Sequence, residues 1–290
     1  MVIKILLLLV ALASTISATD LAWFHWKDND AISFGGFVPE MRAVKAIVGE
    51  GDEAPRIVYG DRHGAVYVLE MLGGRFREVW RSPPLRAEIA EVFVLDIDVD
   101  DELEIVAYTH AGDIAFYRAS DFHEIWRSTD DEFASVSAMV IENIDDDPQL
   151  ELVFCGEDAA ESRSYRPPGG SRDNSDQDRA AQIGRLFVFD CKNLFLEWRS
   201  EQGLWAQSMA VGDLDDDGEL EIALNTGFVI GATYQRVEWE YLDGFGDKIG
   251  YADLDGDGIP ELIGETKKPR QFIRIFDVDL QSESFLSSGR

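Results

Sequence analysis

The sequence predicts an all-β fold built from repeated four-stranded sheets, and three recurring patterns predict it. The first is an acidic loop that runs into an apolar strand. It reads DIDVDDELEIV from Asp96 to Val106, NIDDDPQLELV from Asn143 to Val153, DLDDDGELEIA from Asp213 to Ala223 and DLDGDGIPELI from Asp253 to Ile263. A worn copy, VGEGDEAPRIV, runs from Val48 to Val58. The second pattern is an alternating apolar strand, at Ala65–Leu69, Asp113–Tyr117, Arg185–Phe189 and Phe272–Phe276. The third is a Trp followed by a basic or polar residue, at Trp26, Trp80, Trp126, Trp198 and Trp239.

Apart from one longer interval, the loops recur with a period in the forties, the size of one four-stranded propeller blade. Each repeat reads as strand, acidic loop, strand, turn, strand, turn, and a last strand with the Trp. All segments are short, β-rich and bounded by Gly, Asp, Pro or Ser. No helical period of useful length appears after the N-terminal segment. The expected fold is therefore a five-bladed β-propeller over residues 19–290, the alternative being a further, diverged blade within the first 50 residues. The first Trp segment, Ala22–Lys27, precedes the first loop, and the last repeat ends after its third strand, at Phe276. The N-terminal strand is thus expected to supply the fourth strand of the last blade, which would close the ring and remove exposed edges.

In chain order, residues 1–18 read as a secretory signal peptide, with a basic start at Lys4, an apolar run from Ile5 to Ala13 and cleavage after Ala18. That run is too short for a transmembrane helix, which needs about 20 apolar residues, and no later stretch approaches that length. Residues 158–182, with their Pro-Pro-Gly-Gly core, read as one large inserted loop. It joins the second and third strands of its repeat. Arg163, Tyr165 and Arg166 in it are candidate ligand contacts, against the alternative of a tolerated surface insertion. Trp205 reads two ways: an exposed aromatic for sugar or peptide stacking, or a packing residue equivalent to Phe245. Cys155 and Cys191 are expected to be unpaired, because the hairpin that would carry them leaves them about five residues out of register, beyond disulfide reach.

Composition narrows the function classes. The 290 residues carry 26 basic and 56 acidic side chains, a formal net charge of −30. Such a charge opposes nucleic acid and anionic membrane surfaces as partners. The hydrophobic fraction of 46% excludes general disorder.

The acidic loops carry the chemistry. In the last one, Asp253, Asp255 and Asp257 can turn inward around one point. Gly258 permits the sharp bend, and the Ile259 carbonyl and Glu261 carboxylate can close a cage. Hard oxygen ligands on a flexible loop suit Ca²⁺. Asp213, Asp215, Asp217 and Glu221, with Gly218, form a similar set. Asp96, Asp98, Asp100 and Glu104 have Asp101 at the bend. Asn143, Asp145, Asp147 and Glu151 form a weaker set, because Pro148 stands there and cannot take positive φ. The first copy has Val48, Glu50, Asp52 and Arg56 at these positions and is expected to be metal-free. The competing reading is a series of solvated turns whose Asp side chains bond their own backbone. An EF-hand is excluded, because it needs flanking helices and an acidic twelfth residue.

The stretch from Gly244 to Gly264, GFGDKIGYADLDGDGIPELIG, resembles the FG-GAP repeat of integrin alpha-chain propellers and VCBS-type proteins. The resemblance implies a propeller with calcium held by the first, third, fifth and ninth loop positions and the seventh carbonyl. That adds the carbonyls of Glu219 and Glu102 to the ligand sets, with two or three structural Ca²⁺ ions expected. Here the ninth residue is Glu, where integrins usually have Asp. The reading that results is a secreted, monomeric, calcium-stabilised module that binds an extracellular protein or carbohydrate. Its rivals are a polysaccharide lyase or hydrolase on the same scaffold, and a lectin. The four histidines, His25, His63, His110 and His123, are scattered, and no nucleophile with its base is visible, so no catalytic residue is assigned.

Overall fold

The computed structural model describes residues 41–47, 54–145, 147–165, 181–201, 203–267 and 271–286. The signal-peptide segment, Trp26, the loop residues 48–53 and Arg166 lie outside them. The described strands form five four-stranded antiparallel sheets, each with its strands in chain order. The first sheet is β1 (Met41–Ile47), β2 (Arg56–Asp61), β3 (Val66–Leu72) and β4 (Arg75–Arg81). The second is β5 (Ile89–Leu95), β6 (Glu104–Thr109), β7 (Ile114–Arg118) and β8 (Glu124–Arg127). The third is β9 (Phe133–Glu142), β10 (Glu151–Asp158), β11 (Gly184–Asp190) and β12 (Phe195–Arg199). The fourth is β13 (Met209–Gly212), β14 (Glu221–Leu224), β15 (Phe228–Gly231) and β16 (Arg236–Glu240). The fifth is β17 (Lys248–Ala252), β18 (Glu261–Thr266), β19 (Phe272–Asp277) and β20 (Ser282–Leu286).

Strand β20 corrects the expected closure. The fourth position of the last sheet is filled by Ser282–Leu286, not by the N-terminal strand. The register shows why the pattern concealed it. Trp80, Trp126, Trp198 and Trp239 pair with Val68, Phe116, Val188 and Val229, and Phe285 pairs with Ile275 in the same way. Phenylalanine stands where the other repeats have tryptophan.

The described residues fall into two compact units, one with β1–β8 and the other with β9–β20 and the Asp96–Asp101 loop. In the first, Val58, Val66 and Val68 of one sheet pack with Val92, Ile105 and Tyr117 of the next. Trp80 reaches across to meet Tyr117 edge-on at 5.0 Å and to stack on Phe122 at 5.1 Å. In the second unit the fourth sheet is buried on both faces. Val211, Ile222, Leu224 and Ile230 pack with Val153, Leu186 and Val188 of the third sheet. Ala210, Ala223, Val229 and Trp239 pack with Phe245, Leu262 and Phe276 of the fifth. Two-faced burial explains why the second strands β6, β10 and β14 are buried along their length or nearly so, and why they read as near-continuous apolar runs. Trp80, Trp198 and Trp239 are thus packing residues between sheets.

Every pairing of a third with a fourth strand carries a β-bulge beside the Trp or Phe. The extra residues are Val79, Ile125, Glu197, Glu238 and Ser284. A bulge bends the strand and re-aims the extra side chain.

Residues 158–165 are not wholly loop. A short helix, α1 (Ala159–Ser164), follows β10 and is capped by Asp158, whose carboxylate accepts the N–H groups of Ala160 and Glu161. It is too short to give a periodic signal. Cys155 and Cys191 are both free and buried. Cys155 lies opposite Leu186, whereas the Cys191 N–H donates to the Leu150 carbonyl, so the thiols are five residues apart along the hairpin. Among the described residues no helix is long and apolar enough to cross a membrane.

Phe245 is fully buried against Trp239, Tyr241 and Phe276. Phe245→Ala should therefore cost about 3–5 kcal/mol. Leu242→Ala, at a residue 89% exposed, should cost less than about 0.5 kcal/mol. Urea denaturation of the full chain checks both.

Candidate metal centre

Each acidic loop joins the first and second strands of its sheet, and its own side chains shape it. The first Asp reaches forward to the bend. Asp213 accepts the Gly218 N–H at 3.2 Å, and Asp253 accepts those of Gly256 and Gly258 at 2.7 and 3.1 Å. Asp96 accepts those of Asp100 and Asp101 at 3.1 and 3.0 Å. The third and fifth carboxylates each hold the N–H two residues on, as at Asp215 to Asp217, Asp217 to Glu219, Asp255 to Asp257 and Asp257 to Ile259. The self-bonded turns foreseen from sequence are present, and each of these bonds occupies one carboxylate oxygen.

The bends need two left-handed residues per loop, not one. Positive φ occurs at Val99 and Asp101, at Asp216 and Gly218, and at Gly256 and Gly258. Gly, Asp and Asn adopt this conformation at low cost, whereas a β-branched Val does not. The Asn143 loop solves the Pro148 problem differently. Proline has no N–H for a first-position carboxylate to accept. The first residue is Asn, and its amide donates to the Asp147 carbonyl at 2.6 Å.

In three loops the ninth residue, a Glu, ties the loop to its sheet. Glu151 accepts the Ile144 N–H at 2.8 Å, Glu221 that of Leu214 at 2.7 Å and Glu261 that of Leu254 at 2.8 Å. Glu151 and Glu221 are each 1% exposed, and Glu104 is also buried. Burial pushes the carboxyls of Glu151 and Glu221 up to about 7, helped by Asp145 and Asp147 in one case and by Asp215 and Glu238 in the other. The backbone N–H each accepts opposes the rise. Asp98 and Asp215 are raised by the same burial and by their acidic neighbours.

Within the second unit the structure brings together part of each of three expected sets, and Asp217 and Glu261 fall outside the groups. One oxygen from each of Asp145, Asp147 and Glu151 lies within 4.8 Å of the others, and so do those of Asp213, Asp215 and Glu221, and of Asp253, Asp255 and Asp257. The last trio is exposed. Asp98 Oδ1 and Asp213 Oδ1 are buried with no hydrogen-bond partner. Orphaned oxygens among hard carboxylate donors fit a divalent cation of the Ca²⁺ type. In the first sheet the ninth residue is Arg56, which pairs with Glu70 at 2.7 Å. Glu102 in the second loop pairs with Arg118 at 3.3 Å. Among the described residues no such cluster includes a histidine.

The other candidates are dispersed. Arg163, on α1, pairs with Asp131 at 2.5 Å, and the Tyr165 hydroxyl bonds to Gln182 at 3.0 Å. Trp205 is half-buried, and its carbonyl accepts the Thr226 hydroxyl at 2.8 Å. Sequence reasoning missed Glu197 and Glu238, the bulge residues of β12 and β16. The acid before the Trp in LEW and VEW was the available signal. Glu197 lines a cleft of about 540 Å³ with Asn143, Asp145, Asp147 and Glu219. Glu197 and Glu238 are both exposed, and partial desolvation, then neighbouring carboxylates, raises each above its ordinary value.

These shifts fix the sign of a pH effect. A carboxyl near 4.5 in the unfolded chain and near 7 when folded stabilises the fold below the lower value. That contribution is lost as pH rises through the upper value. In chelator, the protein should lose stability from pH 5 to pH 8, and E151Q/E221Q should flatten the loss, as thermal melts across that range would register.

No family model and no curated protein matches the chain. Among solved structures, the computationally designed protein Ika8 matches 86% of this chain with a TM-score of 0.53 and 11% identity. BBS1N, crystallised in complex with ARL6DN, matches with the same values. The chain spans 62% of the length of the designed protein and 68% of that of BBS1N. BamB from Moraxella catarrhalis matches 85% of this chain at 13% identity, with a TM-score of 0.47 over 61% of its own length. At such identities the likeness extends to fold alone, and the chain is similar to proteins of the β-propeller type.

Proposed function

We propose that the protein is a calcium-binding propeller-type module whose ions stabilise the loops between first and second strands. The observation that carries this reading is the gathering of three carboxylates within 4.8 Å in loop after loop, with an orphaned buried oxygen at Asp213. Asp213, Asp215 and Glu221 would hold one ion. Asp145, Asp147 and Glu151 would hold another, and Asp253, Asp255 and Asp257 a third. A bound cation neutralises carboxylates that otherwise repel, and it supplies the partner that Asp213 Oδ1 lacks. On this reading calcium is structural, the FG-GAP resemblance extends to the metal, and the protein acts outside the cell by binding another protein or a carbohydrate. The chain's acidity suits a calcium-rich extracellular medium and disfavours nucleic acid.

Calcium that binds only the folded state stabilises by about 2.7 kcal/mol at a hundred times its dissociation constant. The melting temperature should therefore rise with CaCl₂ and fall with chelator, and D213A/D253A should remove most of the difference. Identical melts with and without chelator would overturn the reading.

A further inference from the structure

Both faces of the first sheet are apolar at the centre, and alternation along its strands sorts the side chains between them. Val58, Val66 and Val68 turn to one face and pack with Val92, Ile105 and Tyr117 of the second sheet. Tyr59, Tyr67 and Leu69 turn to the other, where they cluster with Ile57 and Phe76. Among the described residues, this second cluster draws on the first sheet and its β2–β3 turn alone.

Neighbours in a sheet stand beside a side chain, not above it. Leu69 is flanked by Ile57 and Glu78 in the ladder, and the stacked rings of Tyr59 and Tyr67 lie 4.8 Å apart in the same layer. Arg81 reaches over the Tyr67 ring from the edge strand, at 5.0 Å. Yet Leu69 is 0% exposed and Tyr59 only 4%. Val44, paired with Tyr59 on the same face at the β1 edge, is 50% exposed. The centre of the face is covered, and its margin is open. The fifth sheet supplies the contrast. Ile273 and Phe285, on its face turned from the fourth sheet, keep 47% and 50% exposure. Full burial at the centre of a sheet face needs a second layer, about 10 Å above the first.

Composition narrows the source of that layer. Residues 48–53, 166–180, 268–270 and 287–290 contain no aromatic residue and no Leu or Ile, and Val48 is their one valine. Residues 19–40 carry Trp23, Phe24, Trp26, Phe34 and Phe37, and they lead directly into β1 of this sheet at Met41. Extended chain advances about 3.3 Å per residue and strands lie about 4.8 Å apart, so the segment is long enough to cross all four strands and return.

We propose that residues 19–40 cover the face of the first sheet that presents Tyr59, Tyr67, Leu69 and Phe76. The segment that holds the first Trp marker then seals the first sheet instead of completing the last. The face is occupied by the chain itself and is closed to an outside partner. The assignment is independent of the loop metals.

Photo-crosslinking of the full chain tests it. Phe76→p-benzoylphenylalanine places the probe within the cluster. Irradiation should join position 76 to a peptide from residues 19–40, as tandem mass spectrometry of the digest would read. Crosslinks confined to other segments or to a second copy overturn the inference, and so does the absence of any crosslink. A second variant, W23S/W26S/F34S/F37S, should raise hydroxyl-radical labelling of Tyr59 and Tyr67 several-fold while Phe245 stays protected. Unchanged labelling of both tyrosines overturns the inference as well. If that variant unfolds throughout and Phe245 is labelled too, the crosslink decides, because its probe leaves the segment intact.

Discussion

A carboxylate placed at the start of the second strand, and taken almost wholly out of water in the second, third and fourth sheets, is the constraint on which their loops depend. Glu151 and Glu221 sit there at 1% exposure, each holding one loop N–H. The bond fixes where the loop leaves the sheet, and the loop in turn brings its own carboxylates beside the buried one. An isolated buried carboxylate is costly and protonates readily. The design is therefore stable in one of two ways: with a proton, or with a cation. In the first sheet the cation is covalent, as Arg56, and its partner is Glu70. Among the described residues of the third and fourth sheets no side chain plays that part.

The fourth sheet carries this arrangement because it is packed on both faces. A second strand such as β14 is buried along its length, so the residue that opens it is buried too. The Trp on the fourth strand fills the space toward the next sheet, as Trp239 does against Phe245 and Phe276. Its insertion coincides with a bulge, and the bulge residue turns away from the packing face. In β12 and β16 that residue is Glu, so the device that packs the sheets also delivers charge to the loops.

The sequence discloses whatever is local. Asp, Gly and Trp recur at fixed spacing, and the five sheets and their loops follow from that. Cys155 and Cys191 could be placed out of register by counting along one hairpin. What depends on pairing between strands stays hidden. Phe285 does the work of a Trp, so β20 goes unseen and the N-terminal strand is assigned its place. Glu197 and Glu238 look like ordinary surface acids until the bulge shows where they lie. The second left-handed residue of each loop is obscured where Val99 and Asp216 take it instead of glycine. The buried state of Glu151 and Glu221 belongs to the stacking of sheets, which no single repeat records. Asn143 with Pro148 reads as a damaged loop, whereas the amide replaces by donation what the carboxylates of the other loops achieve by acceptance.

The central claim is that buried and clustered carboxylates make these loops cation sites, not merely acidic turns. Native mass spectrometry of the full chain, sprayed from volatile buffer with graded calcium, measures it most directly. The account predicts discrete calcium additions that saturate and that chelator removes. A spectrum that shows only the metal-free mass at every calcium concentration, with nonspecific adducts scaling with salt, would contradict it.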